Sequence, residues 1–250
     1  MAERRHEHAR SFDRVAVAYR RARPSYPAAA VDWVLERAPG RRIVDLAAGT
    51  GKLTQVLVSA GAEVIAVEPL DNMRAALEES VPGVPALAGT AEQMPLADES
   101  ADGVFVGQAF HWFDAPRALA EIARVLVPGG VLGLVWNVRD DAVAWVAELT
   151  EALHGAGDVL SASRTIGDDP ISDPRFTPGE RREFANPVRF DRARLVEWAT
   201  STSSIATLEP VQREAALMRI GRLADEHPDL RGKDTFTMPY VTAAVRATRL

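Results

Sequence analysis

The chain has no cysteine. Disulfides, thiolate nucleophiles and cysteine-ligated metals are therefore excluded. It has no surplus of positive charge: 29 Lys and Arg stand against 35 Asp and Glu, a formal net charge of -6. Non-specific attraction to nucleic acid or to an anionic membrane is disfavoured on that balance. No apolar run approaches the ~20 residues a membrane span requires. The amino-terminal Met-Ala-Glu-Arg-Arg-His-Glu-His leads into no apolar stretch, so no signal peptide and a cytoplasmic location are expected. His6 and His8 lie on that polar tail and read as solvated residues rather than ligands. Repeats and low-complexity tracts are also missing. What remains is an ordinary globular composition, 47% apolar and 26% charged over 250 residues, enough for a substantial core.

The centre of the chain is the stretch from Ile43 to Thr54. Ile43, Val44 and Leu46 form a short apolar strand ending at the Gly49/Gly51 pair. Leu53, Val56, Leu57 and Ala60 then fall on one face of a helix. Gly49 suits a backbone bend, and Gly51 suits close approach of a ligand to the main chain. The helix start offers free N–H groups and a positive dipole end. The dinucleotide fingerprint G-x-G-x-x-G needs a third glycine where this chain has Thr54. Asp45 also speaks against phosphate: a carboxylate there repels it and favours a cationic amine.

Strand and helix patterns alternate around this stretch, which predicts a mainly parallel sheet with right-handed crossovers. Ser11 is placed to cap a helix over Phe12 to Arg21, and Pro24 and Pro27 extend the chain before a helix over Ala28 to Ala38. Further strands are expected over Glu63 to Glu68, Val84 to Leu87, Asp102 to Gly107 and Val131 to Trp136, with helices over Pro69 to Ser80, around Leu119 to Leu126 and over Asp140 to His154. Gly155 to Glu180, rich in Gly, Asp, Ser and Pro, reads as a long loop or lid. Arg182 to Phe190 reads as a sixth strand, Asp191 to Thr200 and Pro210 to Glu226 as helices. Thr235 to Arg246 reads as a last strand with Pro239 at an edge or bulge.

Several of these segments together are similar to class I S-adenosylmethionine (SAM) methyltransferases, and more closely to the small-molecule branch that includes trans-aconitate methyltransferases. Asp45-x-Ala47-x-Gly49-x-Gly51 resembles the family's first motif, with Ala47 where Gly is frequent. Phe12 to Tyr19 with Arg23-Pro-x-Tyr-Pro27 looks like its N-terminal lid, Val64 to Pro69 like its second motif, Gly107 to Asp114 like the loop after the fourth strand, and Arg124 to Gly130 like the turn before the fifth. The resemblance implies an α/β, Rossmann-like, doubly wound seven-stranded sheet, mostly parallel with an antiparallel last strand and helices on both faces. It also implies residues 1–40 as a helical lid and 41–250 as the methyltransferase core, with 155–180 a loop or lid insert.

The same resemblance assigns a site. SAM, leaving as S-adenosylhomocysteine, would contact Asp45, Ala47, Gly49, Gly51, Glu68, Pro69, Met73, Thr90, Ala91, Glu92 and Gln108. Glu68, at a strand end, suits two ribose hydroxyls, or is a helix-start acid. Met73 flanks the adenine or packs in the core. Thr90 stands where many relatives have Asp, and Glu92 is either a ligand contact or a helix-start acid. His111 is the candidate base, or a histidine that shapes the wall beside Trp112, Phe110 and Phe113. Tyr19, Arg23 and Arg139 are candidates for binding an anionic acceptor. No metal, nucleic-acid or membrane partner is expected, and the partner is a small-molecule substrate. Two other readings stay open from the residues: an NAD(P)-binding Rossmann oxidoreductase, and a SAM-binding protein without catalysis.

Overall fold

A computed structural model describes residues 24–154 and 170–250. The expected helix over Phe12 to Arg21, with Tyr19 and Arg23, lies outside the described residues, as does most of the expected loop from Gly155. The described residues divide into two compact units, one formed by 25–137, 170–185 and 242–250, the other by 24, 138–154 and 186–241.

The first unit holds the sheet. Its elements are α1 (Ala28–Leu35), β1 (Arg42–Leu46), α2 (Lys52–Ser59), β2 (Glu63–Val67), α3 (Asp71–Ser80), β3 (Ala86–Leu87), β4 (Ala101–Gly107), α4 (Ala115–Val125), β5 (Leu126–Arg139), β6 (Glu180–Ala185) and, after the elements of the other unit, the strand Tyr240–Thr248. That last strand is β9, because two short strands precede it in the chain. The seven-stranded order is β3-β2-β1-β4-β5-β9-β6. The pairs β1–β2, β1–β4, β2–β3 and β4–β5 are parallel, with Asp45 facing Ala66 on one side and Phe105 on the other. β9 is antiparallel. The Arg249 N–H donates to the Gly130 carbonyl, while farther up β5 the Thr242 hydroxyl donates to Asn137 Oδ1. Rising numbers on one strand meet falling numbers on the other.

The parallel strands are apolar because both faces are covered. Ile43, Val44, Leu46, Val104, Phe105 and Val106 are all buried. Each large apolar side chain taken fully from water contributes about 1.5–3 kcal/mol. α1 adds Val31, Trp33 and Val34 to the same core. It stops at Leu35, short of the expected Ala38. Residues 175–177, within the expected loop, run along β9: the Thr177 N–H donates to the Thr248 carbonyl and the Leu250 N–H to Arg175.

The second unit is mostly helical: α5 (Ala144–His154), α6 (Arg192–Thr200), α7 (Ser203–Ala206) and α8 (Pro210–Glu226), with a two-stranded antiparallel sheet of β7 (Val188–Phe190) and β8 (Phe236–Met238). Its own core gathers Trp145, Leu149, Phe190, Trp198, Ile220 and Met238. Two expected strands are therefore each split. Arg182 to Phe190 divides into β6 and β7 around Pro187, and Thr235 to Arg246 divides into β8 and β9 around Pro239. Proline has no N–H for a ladder, so each break falls where pairing cannot continue. No described helix is long and apolar enough to cross a membrane.

Candidate active site

The chain passes from β1 outward to β2 and β3, then returns to place β4 on the other side of β1. The carboxyl ends of β1 and β4 therefore flank the point where strand order reverses, the place where open α/β sheets hold ligands. The backbone marks the same point. Ala47 has φ 56° and Gln108 has φ 58°, two of the three described non-glycine residues in the left-handed region. Each immediately follows one of the two strands. Such residues cost free energy and persist where the surroundings demand them.

Gly49 (φ 56°) and Gly51 (φ 84°) are both left-handed. A Cβ on Gly51 would lie 3.0 Å from Leu77 and 3.2 Å from Val81, so packing against α3 restricts that position. Gly49 has nothing within 4 Å of a Cβ position among the described residues, and the open approach is there. α2 starts at Gly51, which has no side chain to cap the first N–H groups.

Two acids converge on this turn. Asp45 is buried at 1% exposure inside a strand. Its Oδ2 accepts the Thr54 hydroxyl at 2.5 Å, and its Oδ1 has no partner among the described residues. The Thr50 hydroxyl, also buried, is another polar group of the turn without a partner there. Burial, with a smaller push from Glu68, drives the Asp45 carboxyl up to about 7, against the pull of Thr54. Glu68 accepts the Gly49 N–H at 2.9 Å and the Leu70 N–H at 3.0 Å, and the Arg74 guanidinium donates to its carbonyl at 2.7 Å. Burial raises the Glu68 carboxyl as well, opposed by those two N–H bonds. A carboxylate has about four lone-pair sites, so both oxygens keep capacity for a ligand hydroxyl.

The other predicted residues fall around these ends. Pro69 is exposed and Met73 buried on α3. Thr90 is exposed and pairs through its backbone with Gln93, while Ala91 is buried. Glu92 accepts the N–H of Asp114 at 3.0 Å, just before α4, so it joins the segment after β3 to the loop after β4. Glu92 itself lies in a turn, outside any helix. Gln108 donates from its side chain to the Asn137 carbonyl at 3.0 Å. Phe110 is buried and meets Phe113 edge-on at 5.6 Å between centroids. The His111 ring lies 4.6 Å from that of Trp112, and its buried Nδ1 has no partner among the described residues. Burial pushes the His111 imidazole down to about 4, so it is neutral at pH 7. Arg139 belongs to the helical unit, where its guanidinium lies 5.3 Å from the Trp198 ring centroid and 3.4 Å from the Thr150 hydroxyl.

Sequence reading missed Thr54 as a partner of Asp45, having registered it only as a missing glycine. It also missed Tyr26, whose hydroxyl lies 2.7 Å from where a Cβ on Gly107 would stand, and Asn137, buried at the end of β5 and donating to the Ser25 carbonyl. The Pro-x-Tyr-Pro spacing was the available signal for Tyr26. A cavity of about 410 Å³ among Arg124, Arg175 and Arg249 shares no residue with the site, and those arginines are already paired with Glu121, Asp173 and Glu99. Among the described residues no three His, Asp or Glu gather to hold a metal ion.

Comparison with known proteins bears on the family and the fold. The methyltransferase domain family matches residues 44–134, from β1 to β5. An uncharacterised methyltransferase of Mycobacterium tuberculosis is 43% identical over 238 residues, 95% of each chain. One of Schizosaccharomyces pombe is 40% identical over 246 residues, 96% of this chain and 98% of that one. Among solved structures, a type II methyltransferase of Anaeromyxobacter dehalogenans superposes with a TM-score of 0.72 over 91% of this chain and 97% of its own, at 24% identity, a likeness of fold. With a full-length relative at that identity and the family's domain spanning the site, the chain belongs to the methyltransferase family.

Proposed function

We propose that the chain transfers the methyl group of SAM to a small-molecule acceptor, a carboxylate. The observation that carries the cofactor reading is the pair of buried acids at the glycine turn. Asp45 and Glu68 already strain against each other and against burial. A pyrophosphate would add further negative charge there. A ligand with an ammonium and a sulfonium supplies the missing positive charge, and the unpartnered Asp45 Oδ1 supplies an acceptor for it. The residues present fit SAM: Asp45 for the amine, Glu68 for the ribose hydroxyls, the open face of Gly49 for the chain between them, and the Thr90 to Glu92 segment for the adenine edge.

SAM supplies a methyl group on a leaving group that is already activated. The protein then has to align the acceptor in line with the methyl group and exclude water. His111, Trp112 and Phe113, in the loop that follows β4, are the side chains proposed for that wall. A neutral imidazole whose basicity is lowered this far is a weak general base, because proton transfer is most effective with a pKa near the working pH. An acceptor ionised at pH 7 needs no base, and a carboxylate meets that requirement. The resemblance to the trans-aconitate branch supports the same class.

The test is a screen of small carboxylates, phenols and amines with methyl-labelled SAM. Label in a carboxylate, released by mild alkali as methanol, is the expected result. Transfer confined to phenols or amines would refute the carboxylate assignment.

A further inference from the structure

We infer that Thr54 is a positioning residue of the cofactor site: its hydroxyl fixes one oxygen of Asp45 and leaves the other for the ligand's ammonium. The inference rests on the SAM reading above and adds a residue that neither the glycine turn nor the strand-end acids account for.

Thr54 lies in the first turn of α2 and is fully buried, between Leu53 and the next buried position, Leu57. An apolar residue would suit that face, and a β-branched one has no advantage in a helix. A helical threonine commonly turns its hydroxyl back to a carbonyl of the preceding turn. Here it points out of the helix to β1 and donates to Asp45 Oδ2 at 2.5 Å. The hydroxyl therefore serves the acid rather than the helix. With Oδ2 held and Oδ1 buried without a partner among the described residues, the carboxylate has one oxygen anchored and one whose hydrogen-bonding capacity is unmet, the state a ligand donor relieves. A charge-assisted hydrogen bond of this kind favours the ionised acid, the form that receives a cation.

The groups that act on Asp45 set what can be measured. Glu68, from the end of β2, opposes its ionisation, and Arg74, from α3, acts on Glu68. Thr54, from α2, favours ionisation. Without the Thr54 hydroxyl, Asp45 should hold its proton to higher pH. Ligand affinity that depends on the ionised acid should then lose its acid limb at higher pH as well.

The experiment is calorimetric titration of the full chain with S-adenosylhomocysteine, which keeps the ammonium, from about pH 5.5 to about pH 9, a window around the reference histidine and α-amino range. Wild type, Thr54→Val and Thr54→Ser are compared, with Thr54→Ala as the second variant should the valine protein fail to fold. The expected result is affinity about tenfold weaker at pH 7 for Thr54→Val, the scale of one such bond. Its pH midpoint should move upward, and Thr54→Ser should restore the wild-type midpoint. A residue that only packs the helix would alter melting temperature and leave the midpoint where it was. An unmoved midpoint in both the valine and alanine proteins, with wild type binding normally, overturns the role of Thr54 alone. Wild type that fails to bind at any pH overturns the cofactor reading and this inference with it.

Discussion

Glu68 accepts the Gly49 N–H at 2.9 Å, so the end of β2 and the glycine turn after β1 are held to each other before any ligand arrives. The second oxygen of the same carboxylate takes the Leu70 N–H at 3.0 Å and fixes the entry to α3. One side chain thus shapes the turn and offers its remaining lone pairs to a ligand. A change at Glu68 should register in both stability and binding. Glu68→Ala is expected to weaken SAM by about 1–3 kcal/mol and to lower the melting temperature, because two N–H groups lose their acceptor. Glu68→Gln, which keeps one acceptor oxygen, should lose less of each. Calorimetry that finds SAM affinity unchanged in Glu68→Ala would remove this residue from the site.

Asp45 predicts a pH dependence with a definite sign. Its folded value of about 7 stands above the unfolded 3.8. Between those values the folded chain holds a proton that the unfolded chain has released. The stabilising contribution is present in full below the unfolded value and disappears as pH rises through the folded one. Asp45→Asn removes the buried charge and should raise the melting temperature of the ligand-free protein above pH 7 by about 2–4 °C, equivalent to roughly 1 kcal/mol in a chain of this size. The same variant should bind SAM more weakly. Scanning calorimetry below and above pH 7 checks this; a variant that melts lower than wild type on both sides contradicts it.

Ala47 occupies a left-handed position, one that glycine adopts without strain. The cost of φ 56° for a residue with a Cβ is about 1–2 kcal/mol, and glycine's extra unfolded freedom takes back about 0.4–1 kcal/mol. Ala47→Gly should therefore stabilise the fold by about 0.5–1 kcal/mol, measured by denaturant titration, and leave SAM binding intact. A destabilised glycine variant would mean that the alanine methyl packs usefully.

His111 should matter for alignment more than for proton transfer. Its folded value of about 4 lies below the ordinary 6.5, so the stability it contributes is present above the ordinary value and lost as pH falls toward the folded one. That sign is opposite to that of Asp45. His111→Ala is expected to lower kcat modestly, without the ~10²–10⁴-fold loss that follows removal of a general base. A pH–rate profile with a histidine-like ionisation that vanishes in the variant would assign base catalysis to His111.

Much of the fold was legible because its signals are local. Apolar runs gave the parallel strands, and the pair Gly49 and Gly51 gave the turn between β1 and α2. The acid at the end of Val64-Ile-Ala-Val-Glu68 was visible for the same reason. What stayed hidden depends on neighbours distant in sequence. Thr54 reads as a lost glycine until β1 brings Asp45 to its hydroxyl. Gly51 reads as ligand-facing, and nothing in its local sequence shows that Leu77 and Val81 also leave no room there for a Cβ. Glu92 gives no sign in sequence that its carboxylate accepts the Asp114 N–H, a partner 22 residues on.

The split strands show the same limit. Pro239 was readable as a disturbance and Pro187 lay unremarked within an expected strand. Neither residue indicates in sequence that the chain on its two sides belongs to different sheets. Ladder partners decide that, and they come from elsewhere in the chain.

The central claim is that the glycine turn beside Asp45 and Glu68 holds SAM and not a phosphate-bearing dinucleotide. Parallel calorimetric titrations of wild type and Gly49→Val with SAM and with NAD test it most directly. Saturable one-to-one binding of SAM by wild type is expected, lost when a β-branched side chain is forced onto the left-handed backbone and into the open approach at Gly49, with no heat from NAD in either protein. Binding of NAD by wild type, or SAM binding that survives unchanged in Gly49→Val, would contradict the account.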